Sequence, residues 1–295
     1  MVVGSLLYSP LAQATTGLRS RITPSHHQSD QPTAHASVPF SLKLEDQLLA
    51  ILRYLPVTFQ PSSAPITTTT TSTTTTTLSS TTSTSTTSTT TTTIAPNVTT
   101  IADPTKLQKG AYVWRFSALT TLKHLWRVGT QNVVLQGALM RFQLAHNLNT
   151  TGTMNGSTWQ TLVSAAKKNE LDPSSYNYVY VRQTLPELLT LYRNGKPAYQ
   201  TYVNTGVYDA PTQTGTYPVY ERFLTTTMSG VEPNGTKYSD PGIPWVSYFH
   251  GGDALHGFIR SEYGYPQSLG CVEMPFSHAE TLFPFTPIGT LVTIQ

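Results

Sequence analysis

Residues 67–93 are Thr or Ser throughout, apart from Leu78. Hydroxyl side chains cannot build an apolar core, and nothing in such a run offsets the entropy lost on ordering its backbone. Thr is β-branched, so the run is stiffer and more extended than a Gly/Ser linker. The tract therefore divides the chain of 295 residues. What folds must do so on either side of it, and the sequence predicts a disordered Thr/Ser-rich linker over 67–104 of the spacer or stalk kind found outside cells.

Upstream, "MVVGSLLYSPLAQATT" is short and apolar and carries Ala12-Gln13-Ala14, a pattern like a signal-peptidase site, without the usual basic start. Residues 1–14 are thus a signal-like segment, and the expectation is an exported, extracytoplasmic protein. In 15–66 only "SLKLEDQLLAILRYLP" has helical spacing, through Leu44, Leu48, Leu52 and Leu55. This predicts one short local helix with no specific role in an otherwise poorly defined region. No uncharged run reaches the roughly 18 apolar residues that span a bilayer, so no membrane span is expected.

Charge is distributed unevenly. Residues 105–168 hold eight Lys/Arg and no Asp or Glu, whereas 169–295 hold six basic and eleven acidic groups. A middle segment of one sign suits an anionic polymer, either nucleic acid or the acidic polymers of a bacterial wall, or else is a plain solvated basic surface. Interleaved stacking aromatics and nucleic-acid motifs are missing, which ranks nucleic acid last.

The same segment has helical periodicity. "FSALTTLKHLWRVG", "GALMRFQLAHNL" and "STWQTLVSAAKK", the last capped by Ser157 or Thr158, predict a small all-α bundle of three helices. From Tyr176 the period changes to two: "YNYVYVR", "ELLTLYR", the hairpin signal Asn194-Gly195, then short runs punctuated by Gly and Pro. Residues 176–295 read as a mainly β domain with one short helix at "FSHAETLF".

The only cysteine, Cys271, stands in "SLGCVEM". A lone thiol is either an inert buried hydrophobe or a nucleophile that needs a proton acceptor and donors for an oxyanion. Gly270 leaves the backbone bare beside the sulfur, so a turn there can aim main-chain N–H groups at developing charge. His250, His256 and His278 are the candidate bases. No metal-ligand spacing appears and no cofactor is implied.

Several ordered blocks carry a resemblance: "LLTLYRNGKPAYQTYVNTG", "APTQTGTYPVY", "IPWVSYFHGGDALHGF" and "SLGCVEM". Together they resemble the L,D-transpeptidase (YkuD-like) catalytic domain, a β-sandwich with a short helix. The resemblance implies Cys271 as nucleophile, His256 as general base and Gly257 as the residue orienting the imidazole. It also implies main-chain amides at Gly270 and Cys271 as oxyanion site, with Ser268 retained from the signature. Tyr248, Tyr263 and Tyr265 are candidates to line the groove. Leu269 stands where the family commonly has His, and Glu273 where Arg or Asn is frequent. "QGALMRFQLAHNLNTTGTMNGSTWQTLVSA" is similar to a small peptidoglycan-binding module, placing such a module at 105–168. The implied reaction is cysteine acyl transfer that cross-links peptidoglycan stems and releases terminal D-alanine. The alternatives are L,D-carboxypeptidase hydrolysis and a non-catalytic wall-binding protein.

Overall fold

The computed structural model describes residues 38–62, 103 and 106–295. The signal-like segment and the Thr/Ser tract lie outside the described residues.

The helical layer begins with α1 (Leu42–Ile51), followed by strands β1 (Val57–Pro61) and β2 (Gly110–Trp114). Helices α2 (Thr120–Leu125), α3 (Val133–Ala145) and α4 (Gly156–Lys168) complete it. Each long helix starts on a side-chain cap that satisfies an otherwise orphaned amide. Ser41 Oγ accepts from Leu44 N, Asn132 from Leu135 N and Asn155 from Thr158 N. The cap of α4 is therefore Asn155, one residue before the helix, rather than Ser157 or Thr158. Left-handed Asn169 (φ 56°) ends α4.

Two sequence expectations give way here. The three helices expected over 105–168 are present as α2, α3 and α4, but they share their core with α1 and the two-stranded antiparallel sheet instead of forming a bundle of their own. The helix expected to be merely local, α1, lies in the centre of the layer. The reason is that its apolar residues form more than one stripe: Leu44, Leu48, Leu49, Leu52 and Leu55 are all buried, in one cluster with Leu135, Phe142 and Leu162. Three polar contacts fix it across the tract. Trp159 Nε1 donates to the Val38 carbonyl at 2.7 Å, Gln108 N to Gln47 Oε1 at 2.8 Å, and Gly129 N to Asp46 Oδ2 at 2.5 Å. Strands β1 and β2 pair from Val57 opposite Trp114 to Pro61 opposite Gly110, and Ser62 N donates to the Lys109 carbonyl at 2.8 Å. The chain thus leaves and re-enters this layer at neighbouring backbone positions. Residues 38–62 and 106–172 build one layer, and the Thr/Ser tract interrupts it instead of preceding it.

The all-basic segment is also less of a surface feature than its sequence suggests. Arg115 Nη1 donates to the carbonyls of Arg53 and Leu55, and Arg141 Nη2 forms a buried ion pair with Asp172 at 2.5 Å. Two of the eight cations are therefore spent inside the fold.

After residue 176 come β3 (Asn177–Arg182), β4 (Leu188–Arg193), β5 (Lys196–Tyr202), β6 (Gly215–Pro218), β7 (Glu221–Val231), β8 (Lys237–His250), β9 (Asp253–Gly257) and β10 (Val272–Met274). Helix α5 (Phe276–Leu282), a 3-10 turn at Phe283–Phe285 and β11 (Leu291–Ile294) follow. One sheet has the order β5-β4-β3-β11-β6 and the other β10-β9-β8-β7. The β3–β4 and β4–β5 ladders are antiparallel, and Asn194 and Gly195 both take positive φ at the turn between β4 and β5 (48° and 75°).

The period of two in the strands decides where each side chain goes. Val179, Val181, Val292 and Ile294 enter a core shared with Leu255, Val272 and Met274 of the other sheet and Leu282 of α5. Their neighbours Tyr178 and Leu291 point the other way and join the core of the helical layer. Gly137 of α3 sits directly on this sheet: a Cβ there would lie 2.7 Å from Leu291 Cδ2 and 2.8 Å from the Gly289 carbonyl. The five-stranded sheet is thus packed on both faces.

Candidate active site

The parallel pair β9–β10 brings His256 and Cys271 together. His256 and Glu273 are Cα partners in this ladder, and Val272 pairs with Leu255. Cys271 lies in the bend that leads into β10, one residue before the ladder begins and two before Glu273. Cys271 and His256 both line a cleft of about 880 Å³ that Tyr238, Tyr248, Asp253, Arg260, Leu269 and Glu273 also line. The long arm formed by β7 and β8 supplies its far wall through Met228, Glu232, Asp240 and Ile243.

Cys271 is half-buried, and its Sγ is 3.7 Å from the Gly252 carbonyl. Burial pushes its thiol up to about 12, the negative charges of Asp253 and Glu273 push the same way, and the Ala254 backbone N–H opposes them. His256 is 2 % exposed. Burial holds its imidazole below the ordinary histidine value, although the Gly257 carbonyl and Glu273 favour the charged form. The Nδ1 atom lies 3.0 Å from the Gly257 carbonyl oxygen, which can only accept. Nδ1 therefore carries the proton, and in the neutral ring Nε2 keeps a lone pair.

The other two histidines stand elsewhere. His250 is stacked on Tyr217 with ring centroids 4.4 Å apart and reaches Asp253 at 3.7 Å. His278, on α5, shares a hydrogen bond of 2.8 Å with the Tyr199 hydroxyl. Neither lines the cleft.

The backbone around the thiol is held in detail. Ser268 Oγ donates to the Cys271 carbonyl at 2.5 Å, and Gly270 N donates to Ser268 Oγ at 3.3 Å. Gly270 has φ +115°, and a Cβ there would lie 2.4 Å from Asp253 Oδ1, so both conformation and space demand glycine. Tyr248, on β8, is half-buried beside Tyr220 and Phe223. Tyr263 donates to the Phe258 carbonyl, and neither it nor Tyr265 lines the cleft.

Four residues that sequence reasoning missed set this frame. Asn204 exchanges backbone hydrogen bonds of 2.9 Å with Glu273, and its side chain accepts from Gly264 N and donates to the Glu262 carbonyl. Thr205 accepts from Gln267 N and Ser268 N through its carbonyl, and gives its own N–H and hydroxyl to Glu187, each at 2.7 Å. Arg260 clamps Glu273: Nε to Oε2 at 2.7 Å and Nη2 to Oε1 at 2.9 Å. Only "VNTG", within a quoted block, hinted at Asn204 and Thr205. Glu187 and Arg260 lie outside the residues whose type announces chemistry. Among the described residues, no group of three or more His, Cys, Asp or Glu is placed to hold a metal ion.

Residues 176–294 match the family model of the YkuD L,D-transpeptidase catalytic domain. No curated protein matches the chain. Solved structures similar to it include the catalytic domain of an Enterococcus faecium L,D-transpeptidase, at 26 % identity and TM-score 0.37, covering 40 % of this chain and 96 % of that one. An L,D-transpeptidase from Mycobacterium smegmatis is similar at 16 % identity and TM-score 0.37, covering 41 % of this chain and 59 % of that one. The chain thus spans about three-fifths of the mycobacterial structure's length. Within the YkuD match lie Cys271, His256 and every cleft residue named above. Leu269 presents an apolar side chain, 38 % exposed, at the mouth of the cleft, and Glu273 is buried and paired.

Proposed function

We propose that the protein is a peptidoglycan L,D-transpeptidase that works by cysteine acyl transfer. Cys271 is the nucleophile and His256 the general base, with Gly257 fixing the tautomer. The observation that carries this reading is the His256 Nδ1 hydrogen bond to the Gly257 carbonyl, because it leaves Nε2 as the acceptor in a cleft that the thiol shares.

The electrostatics favour a neutral pair at rest. With the thiol raised and the imidazole lowered, no thiolate–imidazolium pair forms before substrate arrives. Proton transfer from Sγ to Nε2 accompanies attack on the amide joining the diamino acid to the terminal D-alanine. The oxyanion is met by main-chain N–H groups at Gly270 and Cys271. The Gly270 N–H leaves its long bond to Ser268 Oγ for the stronger, charged acceptor. His256 then gives the proton to the leaving amine, D-alanine departs, and a thioester remains on Cys271. Attack by the side-chain amine of a second stem restores the thiol and forms the cross-link; attack by water would make the enzyme a carboxypeptidase. Tyr248, on the cleft wall, orients the stem.

In this reading the protein acts outside the cytoplasm, and the helical layer holds the wall polymer. No helix among the described residues is long and apolar enough to cross a membrane. The test is incubation of the full chain with tetrapeptide stems, followed by mass spectrometry of protein and products. An adduct confined to Cys271 with release of D-alanine and a cross-linked dimer is expected. Absence of both adduct and product from folded protein would sink the reading.

A further inference from the structure

We propose that Arg260 is a positioning residue for the thiol: by pairing with Glu273 it neutralises the carboxylate that shares the cleft with Cys271, two residues away, and so permits thiolate formation. The inference rests on the assignment of Cys271 as nucleophile.

The charged and titratable groups around the sulfur come from four elements. Strand β9 contributes Asp253 and His256, β8 contributes Tyr238, Asp240 and Tyr248, the turn after β7 contributes Glu232, and β10 contributes Glu273. Among the described residues, Arg260 is the one Lys or Arg lining the cleft. Asp253 and Glu273 are the two carboxylates close enough to raise the thiol. Asp253 meets only weak partners, Gln213 N at 3.4 Å and the His250 ring at 3.7 Å. Glu273 is 4 % exposed, so it cannot rely on water to disperse its charge. Its compensation is the two-pronged guanidinium bond from Arg260.

The guanidinium is held far more firmly than a loop staple requires. Nη2 also donates to the Gln267 carbonyl at 3.3 Å, and the guanidinium lies over the Phe258 ring with Cζ 4.6 Å from its centroid. That ring meets His256 edge-on at 6.0 Å. The loop between β9 and β10 is meanwhile anchored independently by Asn204 and Thr205. Tethering alone therefore does not account for Arg260, whereas charge compensation beside the thiol does.

The test is the pH dependence of Cys271 alkylation by iodoacetamide in the full chain, for wild type, R260Q, E273Q, R260Q/E273Q and R260K. An uncompensated carboxylate two residues from the thiol in the same cleft should shift the R260Q curve up by about one pH unit, which is about tenfold slower alkylation at a fixed pH. E273Q should shift it down, the double variant should return to the wild-type curve or below it, and R260K should stay near wild type. An R260Q curve that matches wild type, or a double variant that stays shifted with R260Q, overturns the proposal. Should R260Q fail to fold by circular dichroism, E273Q decides, and an unshifted E273Q curve overturns it. A wild type that shows these shifts yet forms no acyl-enzyme with tetrapeptide supports the charge pairing and removes the acyl-transfer reading instead.

Discussion

Trp159 on α4 donates its indole N–H to the carbonyl of Val38 at 2.7 Å, tying the helical layer to a segment on the far side of the Thr/Ser tract. The tie is one contact in a shared core, since Leu48 and Leu49 are fully buried beside Leu135 and Leu162. Leu48→Ala should therefore destabilise the protein by about 2–5 kcal/mol, the usual cost of truncating a buried leucine. Urea unfolding followed by circular dichroism measures it. A cost below about 0.5 kcal/mol, typical of a surface site, would place α1 outside the cooperative unit.

Two of the three candidate histidines, His256 and His250, should separate sharply. Cys271→Ala should abolish covalent labelling by a carbapenem-type β-lactam and leave the circular dichroism spectrum unchanged. His256→Ala should slow acylation by about 10²- to 10⁴-fold, the range for a lost general base. His250→Ala should cost less than about tenfold, since its ring stacks on Tyr217 outside the cleft. The opposite ranking, read by intact mass against time, would move the base to His250.

Acid should stabilise the helical layer. Glu45 and Asp46 are buried, and desolvation raises them to about 7 and about 6, from 4.5 and 3.8. A carboxyl raised in the folded state favours its neutral form there, so its stabilising contribution is present below the unfolded value and lost as pH climbs through the folded one. Stability should fall between about pH 4 and pH 7, and Glu45→Gln should flatten that slope and stabilise at neutral pH by about 1–3 kcal/mol. Thermal melts across this window test it. A melting temperature that rises over the same interval in wild type contradicts the assignment.

Breaking the Arg141–Asp172 pair should be severe. Both side chains are buried, Ser174 adds a hydroxyl contact to Arg141, and the guanidinium lies over Tyr176 at 5.1 Å. Asp172→Ala strands a cation and should cost about 3–5 kcal/mol, whereas Arg141→Met with Asp172→Leu should recover much of that loss. Chemical denaturation of both variants provides the comparison.

The strands of the central sheet were legible because they obey a period of two with β-branched and aromatic residues: Tyr178, Val179 and Val181 alternate between two cores as a strand buried on both faces must. The thiol and its three candidate histidines were legible by residue type. The arm of β7 and β8 was not, because Thr225, Thr226 and Ser229 interrupt any apolar alternation in β7, and it read as separate short runs. Arg260 and its pairing with Glu273 escaped for another reason: the pairing depends on how a Gly- and Pro-containing loop folds back, which no local pattern encodes. The place of α1 was hidden by the tract itself, since contacts such as Gln47 with Gln108 span a low-complexity run that looks like a boundary.

Gly137 and Gly289 press the helices against the five-stranded sheet so closely that neither position admits even a methyl group without displacement. Two bodies joined by a slack tether sample many separations, and the second meeting is governed by an effective concentration. This molecule has no such freedom between its helices and its thiol. On the proposed reading, in which the helical layer holds the wall polymer, that polymer would meet the thiol at a single set distance and bearing, as in a caliper locked at one opening.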